Sequence, residues 1–305
     1  VRAGLAHLLA SERACKVMLV TCAAIWGFSF LVAKDAVNVW PVFWLLAVRF
    51  GIAALALFLV FHRRIMAHLD RTTIRVGLML GLFEWLGYAF QTVGLVYTTP
   101  GKNAFLTGCY CVLVPFCAWL WGMGKPERYH VIAALLCLFG LGMVALDNGF
   151  PLNIGDLFTL VGAFFYALQM VEVSRSGPTL DIVSLSTWQF VAMAVPSLVC
   201  ALLFEQAPPA EVLEPGNVLS LLFLAIVCSS VCLSVMNYGF TKVDPTSGSL
   251  LSSLESPFGV LFSVLFAGEV LTGRLVLGFV LIFLAIVYSE GGLKLVLRLR
   301  GTTQD

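Results

Sequence analysis

The sequence predicts an all-α integral membrane protein of ten transmembrane helices, folded as two inverted five-helix repeats. Three observations carry that prediction. The first is composition: of 305 residues, 60% are hydrophobic and 11% charged, with a mean hydropathy of +0.97. Soluble domains carry about 25% charged residues, so a water-exposed surface of this size would go unsolvated. The second is a division into apolar stretches near the length that crosses a bilayer. The third is a set of landmarks that match between the two halves of the chain.

Breaks rich in Gly, Pro and charge leave apolar segments at about 15–34, 41–61, 74–97, 102–122, 129–146, 154–174, 181–204, 216–240, 245–267 and 271–290. The first carries Trp26. The second holds Arg49, eight residues beyond Pro41. The third carries Gly77 and Gly81, spaced for close helix approach, then Glu84, Tyr88 and Gln91. Lys102 opens the fourth, where snorkelling to headgroups is a better reading than attracting an anion; Tyr110 lies further in. The fifth is short for a full crossing. In the sixth, Tyr166 and Gln169 precede Glu172, whose neighbour Arg175 suggests a surface ion pair. Gln189 lies in the seventh beside Trp188, Asn237 and Tyr238 in the eighth, and Glu255 about ten residues into the ninth.

Charge orients these segments. With the N-terminus in the cytoplasm, fourteen Lys and Arg fall on the cytoplasmic side and three outside, with Arg49 inside a span, accounting for all 18. The positive-inside rule produces such a bias, and a miscounted span would scramble it. Residues 1–14 and the basic tail 291–305 are then both cytoplasmic, and the host is a plasma (inner) membrane. No cleavable leader is expected, because the first apolar run continues into Trp26 and Phe28 without a small-residue cleavage pattern.

The landmarks divide the chain into repeats over 15–146 and 154–290. Eleven residues separate Pro115 from Glu127 and Pro257 from Glu269, and each proline precedes a Phe. Trp26 to Arg49 equals Tyr166 to Gln189 in length, with Phe50 and Phe190 following. Five spans per repeat is odd, so the second half enters from the opposite face, which puts Glu127 inside and Glu269 outside. Inverted pairs of this kind place substrate near the bilayer midplane between repeats. Gly94 to Pro115 is 21 residues and Gly239 to Pro257 is 18, which suggests unequal third-to-fourth and eighth-to-ninth connections.

Ionisable groups at mid-membrane cost roughly 2.5–3.5 kcal/mol each on insertion scales, so they are functional candidates. Arg49, Glu84 and Glu255 all fall near the midplane by helix rise. Arg49 stays protonated and needs an anion, which is either a substrate or a carboxylate of the protein. Glu84 and Glu255 could exchange coupling protons, or could lock helices by hydrogen bonding. Trp26, Tyr88, Tyr110, Tyr166 and Gln189 could complete a substrate site, although aromatics also serve ordinary packing. All nine cysteines lie in or beside apolar spans and none forms a CxxC pair, so they read as small packing residues.

Several pieces together resemble one family. They are Trp26-Gly27-Phe28-Ser29-Phe30 with Lys34; Arg49-Phe50; the run from Gly94 through Thr98-Thr99-Pro100-Gly101-Lys102-Asn103 to Gly108, then Val114-Pro115; and Leu254-Glu255-Ser256-Pro257-Phe258, ending at Gly268-Glu269. In order and spacing these resemble the EamA-type carriers of the drug/metabolite transporter superfamily, over roughly residues 15–290. The resemblance implies ten helices in two five-helix repeats and secondary transport, often export, of small metabolites without bound cofactor or ATP hydrolysis. Ser256 departs from the pattern, separating Glu255 from Pro257 where the family has the two adjacent. Glu84 and Glu172 are also unusual for it.

The function expected is therefore alternating-access export or exchange of a small-molecule metabolite in a lipid bilayer, with protons as candidate coupling ion and no cofactor or metal. A lipid-modifying enzyme would need a nucleophile, base or metal cluster near an interface. His7, His62, His68 and His130 are instead scattered at segment ends. A channel would normally show a filter sequence or a pore-lining ring, and none is visible. A net charge of +1 gives no reason to expect nucleic acid binding.

Overall fold

The structure is a computed structural model that describes residues 12–145, 153–243 and 245–289. The terminal segment, the basic tail and the junction between the expected repeats lie outside or only partly inside those ranges. Among the described residues every regular element is helical. The elements are α1 (Glu12–Val37), α2 (Val42–Ala67), α3 (Arg71–Tyr97), α4 (Pro100–Thr107), α5 (Tyr110–Leu120), α6 (Arg128–Ala145), α7 (Ile154–Ser176) and α8 (Ile182–Phe204). They continue with α9 (Pro215–Leu222), a π-helical stretch (Phe223–Val231), α10 (Cys232–Phe240), α11 (Pro245–Ser253), α12 (Glu255–Phe266) and α13 (Gly273–Ser289).

Seven helical stretches are long and apolar enough to cross a membrane, counting α4–α5 and α9–α10 as one each. Three more, at Arg128–Gly140, Leu251–Phe266 and Val276–Ala285, are apolar but shorter. Helix starts follow the sequence closely. Asp70 caps α3 by accepting from the Thr72 and Thr73 amides, and the Thr73 hydroxyl with those amides holds its carboxyl below the usual range. Asn153 and Asp156 form a capping box at α7.

Glycines set the closest helix contacts. A Cβ at Gly77 or Gly81 would meet α8 at Trp188, Gln189 or Ala192, and one at Gly94 would lie 2.6 Å from the Gly155 carbonyl of α7. The chain thus packs α3 between α7 and α8 through small residues, where backbone approaches backbone. α1 does the same against α12: a Cβ at Gly27 would stand 2.9 Å from the Gly259 amide nitrogen.

The fourth and ninth segments are not continuous helices, as they were expected to be. One breaks at Gly108-Cys109 and the other at Leu254. The three-residue difference between the halves also lies elsewhere than the connections. Gly94 to Pro100 and Gly239 to Pro245 are both steps of six, and Pro100 to Tyr110 and Pro245 to Glu255 are both steps of ten. Only the stretch from break to proline differs, Tyr110 to Pro115 against Glu255 to Pro257. Tyr110 and Glu255 are therefore the opening residues of equivalent half-helices.

Candidate functional site

One cavity lies among α1, α2, α3, α4, α5, α7, α10 and α12. Trp26, Arg49, Glu84, Tyr88, Tyr110, Tyr166 and Glu255 all line it. The two helix breaks help to build its wall, because a break lets the first residue of the second half-helix face inward. At the crossing of the breaks, a Cβ on Gly108 would collide with the Ser256 side chain. The Ser256 hydroxyl donates to the Ala104 carbonyl at 3.0 Å, tying one broken span to the other. Ser256 thus fastens the breaks together while Glu255 turns to the cavity.

Arg49 is 5% exposed and has no carboxylate of the described residues within ion-pair distance. Its Nε donates to the Ser229 hydroxyl at 2.8 Å and its Nη2 to the Tyr88 hydroxyl at 3.4 Å. Its guanidinium carbon stands 4.8 Å from the Tyr88 ring centre and 5.3 Å from that of Phe50. Neither an Arg49–Glu84 pair nor an Arg49–Glu255 pair is formed in this conformation. The cation rests on dipoles and ring faces, which leaves its charge unneutralised.

Ser229 was not singled out from the sequence. It belongs to the π-helical stretch, and its hydroxyl donates to Leu224 O, five residues back, at 2.9 Å. π turns loosen the regular ladder and are frequent at functional sites. Here the stretch offers Cys228 O to the Trp26 indole at 2.9 Å and the Ser229 hydroxyl to Arg49. The only sequence trace is the small, partly polar run Cys228-Ser229-Ser230 in an apolar span.

Other parts of the wall supply acceptors. Glu84 is 2% exposed, and its Oε2 makes no hydrogen bond. Asn103 Oδ1 and Gln169 Oε1 are likewise buried without a partner. Tyr110 stands beside Glu255. Tyr166 donates to Gln91 Oε1 at 2.9 Å, and Gln91 Nε2 donates to Thr107 at 2.9 Å. Asn103 Nδ2 reaches Thr159 at 2.7 Å, so α3, α4 and α7 share one polar network.

Gln189, the repeat counterpart of Arg49, is not part of the wall. Its Oε1 accepts from Asn237 at 2.7 Å, and Asn237 in turn accepts from Gln169 at 3.2 Å. It reaches the cavity only through those two amides. Two expectations about charge need correction. Lys102 does not snorkel: it is 1% exposed and pairs with buried Asp156 at 2.6 Å. Asp156 also accepts from Thr98 at 2.8 Å, so the ammonium finds a partner deep in the bundle. Glu172 does pair with Arg175, at 2.8 Å, yet its carboxylate is wholly buried and also takes Trp121 Nε1 and the Ser176 hydroxyl.

Comparison with known proteins agrees with this architecture. The EamA-like transporter family matches residues 14–146 and again 153–289, and the chain belongs to that family. It is a multi-pass membrane transporter by that membership. It is 32% identical over 273 residues to an uncharacterized transporter of Archaeoglobus fulgidus, covering 88% of this chain and 83% of that one. It is 23% identical over 281 residues to a probable amino-acid metabolite efflux pump of Salmonella typhimurium, covering 88% of this chain and 92% of that one. A crystal structure of a protein at 20% identity superimposes with a TM-score of 0.66, covering 92% of this chain and 97% of that one, which shows a shared fold.

Proposed function

We propose that this protein is a secondary carrier that exports or exchanges small zwitterionic metabolites, of the size and chemistry of amino acids, by alternating access. The observation that carries the proposal is a cation and a set of acceptors left unmet in one cavity. Arg49 has no carboxylate partner among the described residues, and in the same lining the buried Glu84 Oε2, Gln169 Oε1 and Asn103 Oδ1 have no donors. A substrate carboxylate answers the first and an ammonium answers the second. Trp26, Tyr88, Tyr166, Met170, Leu233 and Met236 give an apolar surround for a side chain. The name of the Salmonella relative is in keeping with such a substrate.

In this reading the chain crosses a plasma membrane ten times as two inverted repeats over 15–146 and 154–290, both termini cytoplasmic. Helix contacts support the exchange of halves. α2 packs on α8 and α6 on α13, each pair joining equivalent spans; α3 on α7 is mirrored by α1 against the π stretch and α10. Glu84 and Glu255 are the proposed proton sites.

Counterflow in liposomes tests the reading. Vesicles preloaded with leucine should take up labelled leucine saturably, with leucinol and isocaproate, which lack the carboxylate or the amine, competing at least tenfold less well. Counterflow driven by isocaproate but not by leucine would sink the zwitterion. Glu255→Gln should abolish pH-driven accumulation and spare exchange, whereas Glu84→Gln, which also removes an acceptor for the substrate ammonium, should lower both. If both variants keep the wild-type pH dependence, neither residue carries a coupling proton.

A further inference from the structure

The landmark intervals that mark the repeat end on two glutamates, Glu127 and Glu269, and neither lines the cavity. Glu269 follows Gly268, whose φ of +66° is a left-handed turn that suits glycine. That turn sends the Glu269 carboxylate out of its own half and onto the first turn of α4. Its Oε1 accepts from the Thr99 hydroxyl at 2.6 Å and its Oε2 from the Gly101 amide at 3.2 Å. The Ser263 hydroxyl completes the seat. Free amides and the positive end of the helix dipole make a helix start a favourable place for a carboxylate. Gly101 leaves the room, since a Cβ there would meet Glu269 Oε2.

Two further charges hold the same α3–α4 hairpin. Lys34 Nζ, at the end of α1, donates to the carbonyls of Leu95, Val96 and Thr98 at 2.7, 3.1 and 3.0 Å. Lys102 pairs with Asp156 of α7 at 2.6 Å. Meanwhile α4 contributes Asn103 and Thr107 to the cavity wall. The helix that Glu269 caps is thus also a wall of the cavity, so freeing its first turn frees the wall.

Resting on the alternating-access reading, we infer that Glu269 is a gate residue: its seat on α4 holds one end of the cavity shut, and its release opens that end while the start of α11 closes the other. Equivalence of the two half-helices supports the second part. α4 and α11 both open with a proline, Pro100 and Pro245, each ten residues ahead of the second half-helix. Glu127 has no matching seat on α11, because the positions of Thr99 and Gly101 are taken there by Asp244, a second carboxylate, and Thr246, which carries a Cβ.

Hydrogen exchange by mass spectrometry on the purified full chain reads both ends without any substrate. Glu269→Gln should speed amide exchange over 100–103 about fivefold, what a lost helix cap is worth, and slow it over 245–249 as the population shifts. Thr99→Val removes both the partner hydroxyl and the helix's own cap on the Lys102 amide, so it should speed exchange over 100–103 in any case, and its slowing of 245–249 decides the matter alone if Glu269→Gln does not fold. Unchanged exchange over 100–103 in these variants, or changes of one sign at both ends, overturns the gate. Because the pattern is read on protein alone, opposite signs without leucine counterflow would sink only the proposed substrate, and counterflow without opposite signs would sink only the gate.

Discussion

At the scale of single residues, the central fact is how Arg49 is held. A hydroxyl, a phenol and two ring faces support it, so removing its charge should cost little stability and much function. Arg49→Gln is expected to melt within a few degrees of wild type, because no buried carboxylate loses an ion pair. Leucine counterflow should fall at least a hundredfold, about 2.7 kcal/mol, and Arg49→Lys should restore only part of it, since an ammonium makes no bidentate contact. Full counterflow in a well-folded Arg49→Gln protein would remove the residue from the site. Arg49, Glu84 and Glu255 were legible in the sequence because the cost of a charge at mid-bilayer singles them out. Lys102 was misread by the same logic: a lysine at a helix start has an inexpensive escape to headgroups, and nothing near it announces Asp156, 54 positions away. Ser229 left still less trace, because a serine in an apolar helix is common and only the π register gives it a task.

Among elements, the broken helices and the glycine contacts share one logic, since both bring backbone to where side chains would otherwise stand. Gly27 shows the constraint best. A Cβ added there would lie 2.9 Å from both the Gly259 nitrogen and the Phe258 carbonyl carbon, main-chain atoms that cannot rotate aside. Gly27→Ala should therefore force α1 from α12 at a cost of about 1–3 kcal/mol, seen as a lower melting temperature in detergent. Gly51→Ala is the control, because no atom lies within 4 Å of its added Cβ. Equal melts for the two variants would refute the close-packing account. The breaks were hidden because neither carries a proline of its own. The nearby prolines, Pro115 and Pro257, draw attention to positions inside the second half-helices instead, and Leu254 between Ser253 and Glu255 is itself a good helix former.

For the whole molecule, charge asymmetry gives the expected topology and the structure gives a consistent grouping of ends. Lys34, Glu205 and Glu269 bind helix termini at one end, Glu205 by accepting from the Phe43 and Trp44 amides at 3.0 and 3.1 Å. Arg64 and Asp181 meet at 2.7 Å at the other. A fluorescent protein fused after Asp305 should therefore fold and fluoresce in the cytoplasm, and alkaline phosphatase inserted beside Pro209 should be active outside. Phosphatase activity from the C-terminal fusion would break the ten-span assignment. The twofold match to one family, over 14–146 and 153–289, was legible because the landmarks are rare residue types at fixed intervals. The conformation was not, since on the alternating-access reading one sequence serves both open states.

On the proposed alternating-access cycle, voltage acts on this architecture through Arg49. In a carrier open to one side at a time, the membrane potential drops across whichever end is sealed. A charge fixed at mid-bilayer then passes electrically from one side to the other without moving. One elementary charge across 100 mV is worth about 2.3 kcal/mol, roughly a fifty-fold change in the balance between the two open states. Since arginine holds its proton at any working pH, that sensitivity is built in. Arg49→Gln should change the voltage slope of a conformational reporter by one charge in vesicles carrying a potassium diffusion potential, and an unchanged slope would mean that the field never falls across Arg49.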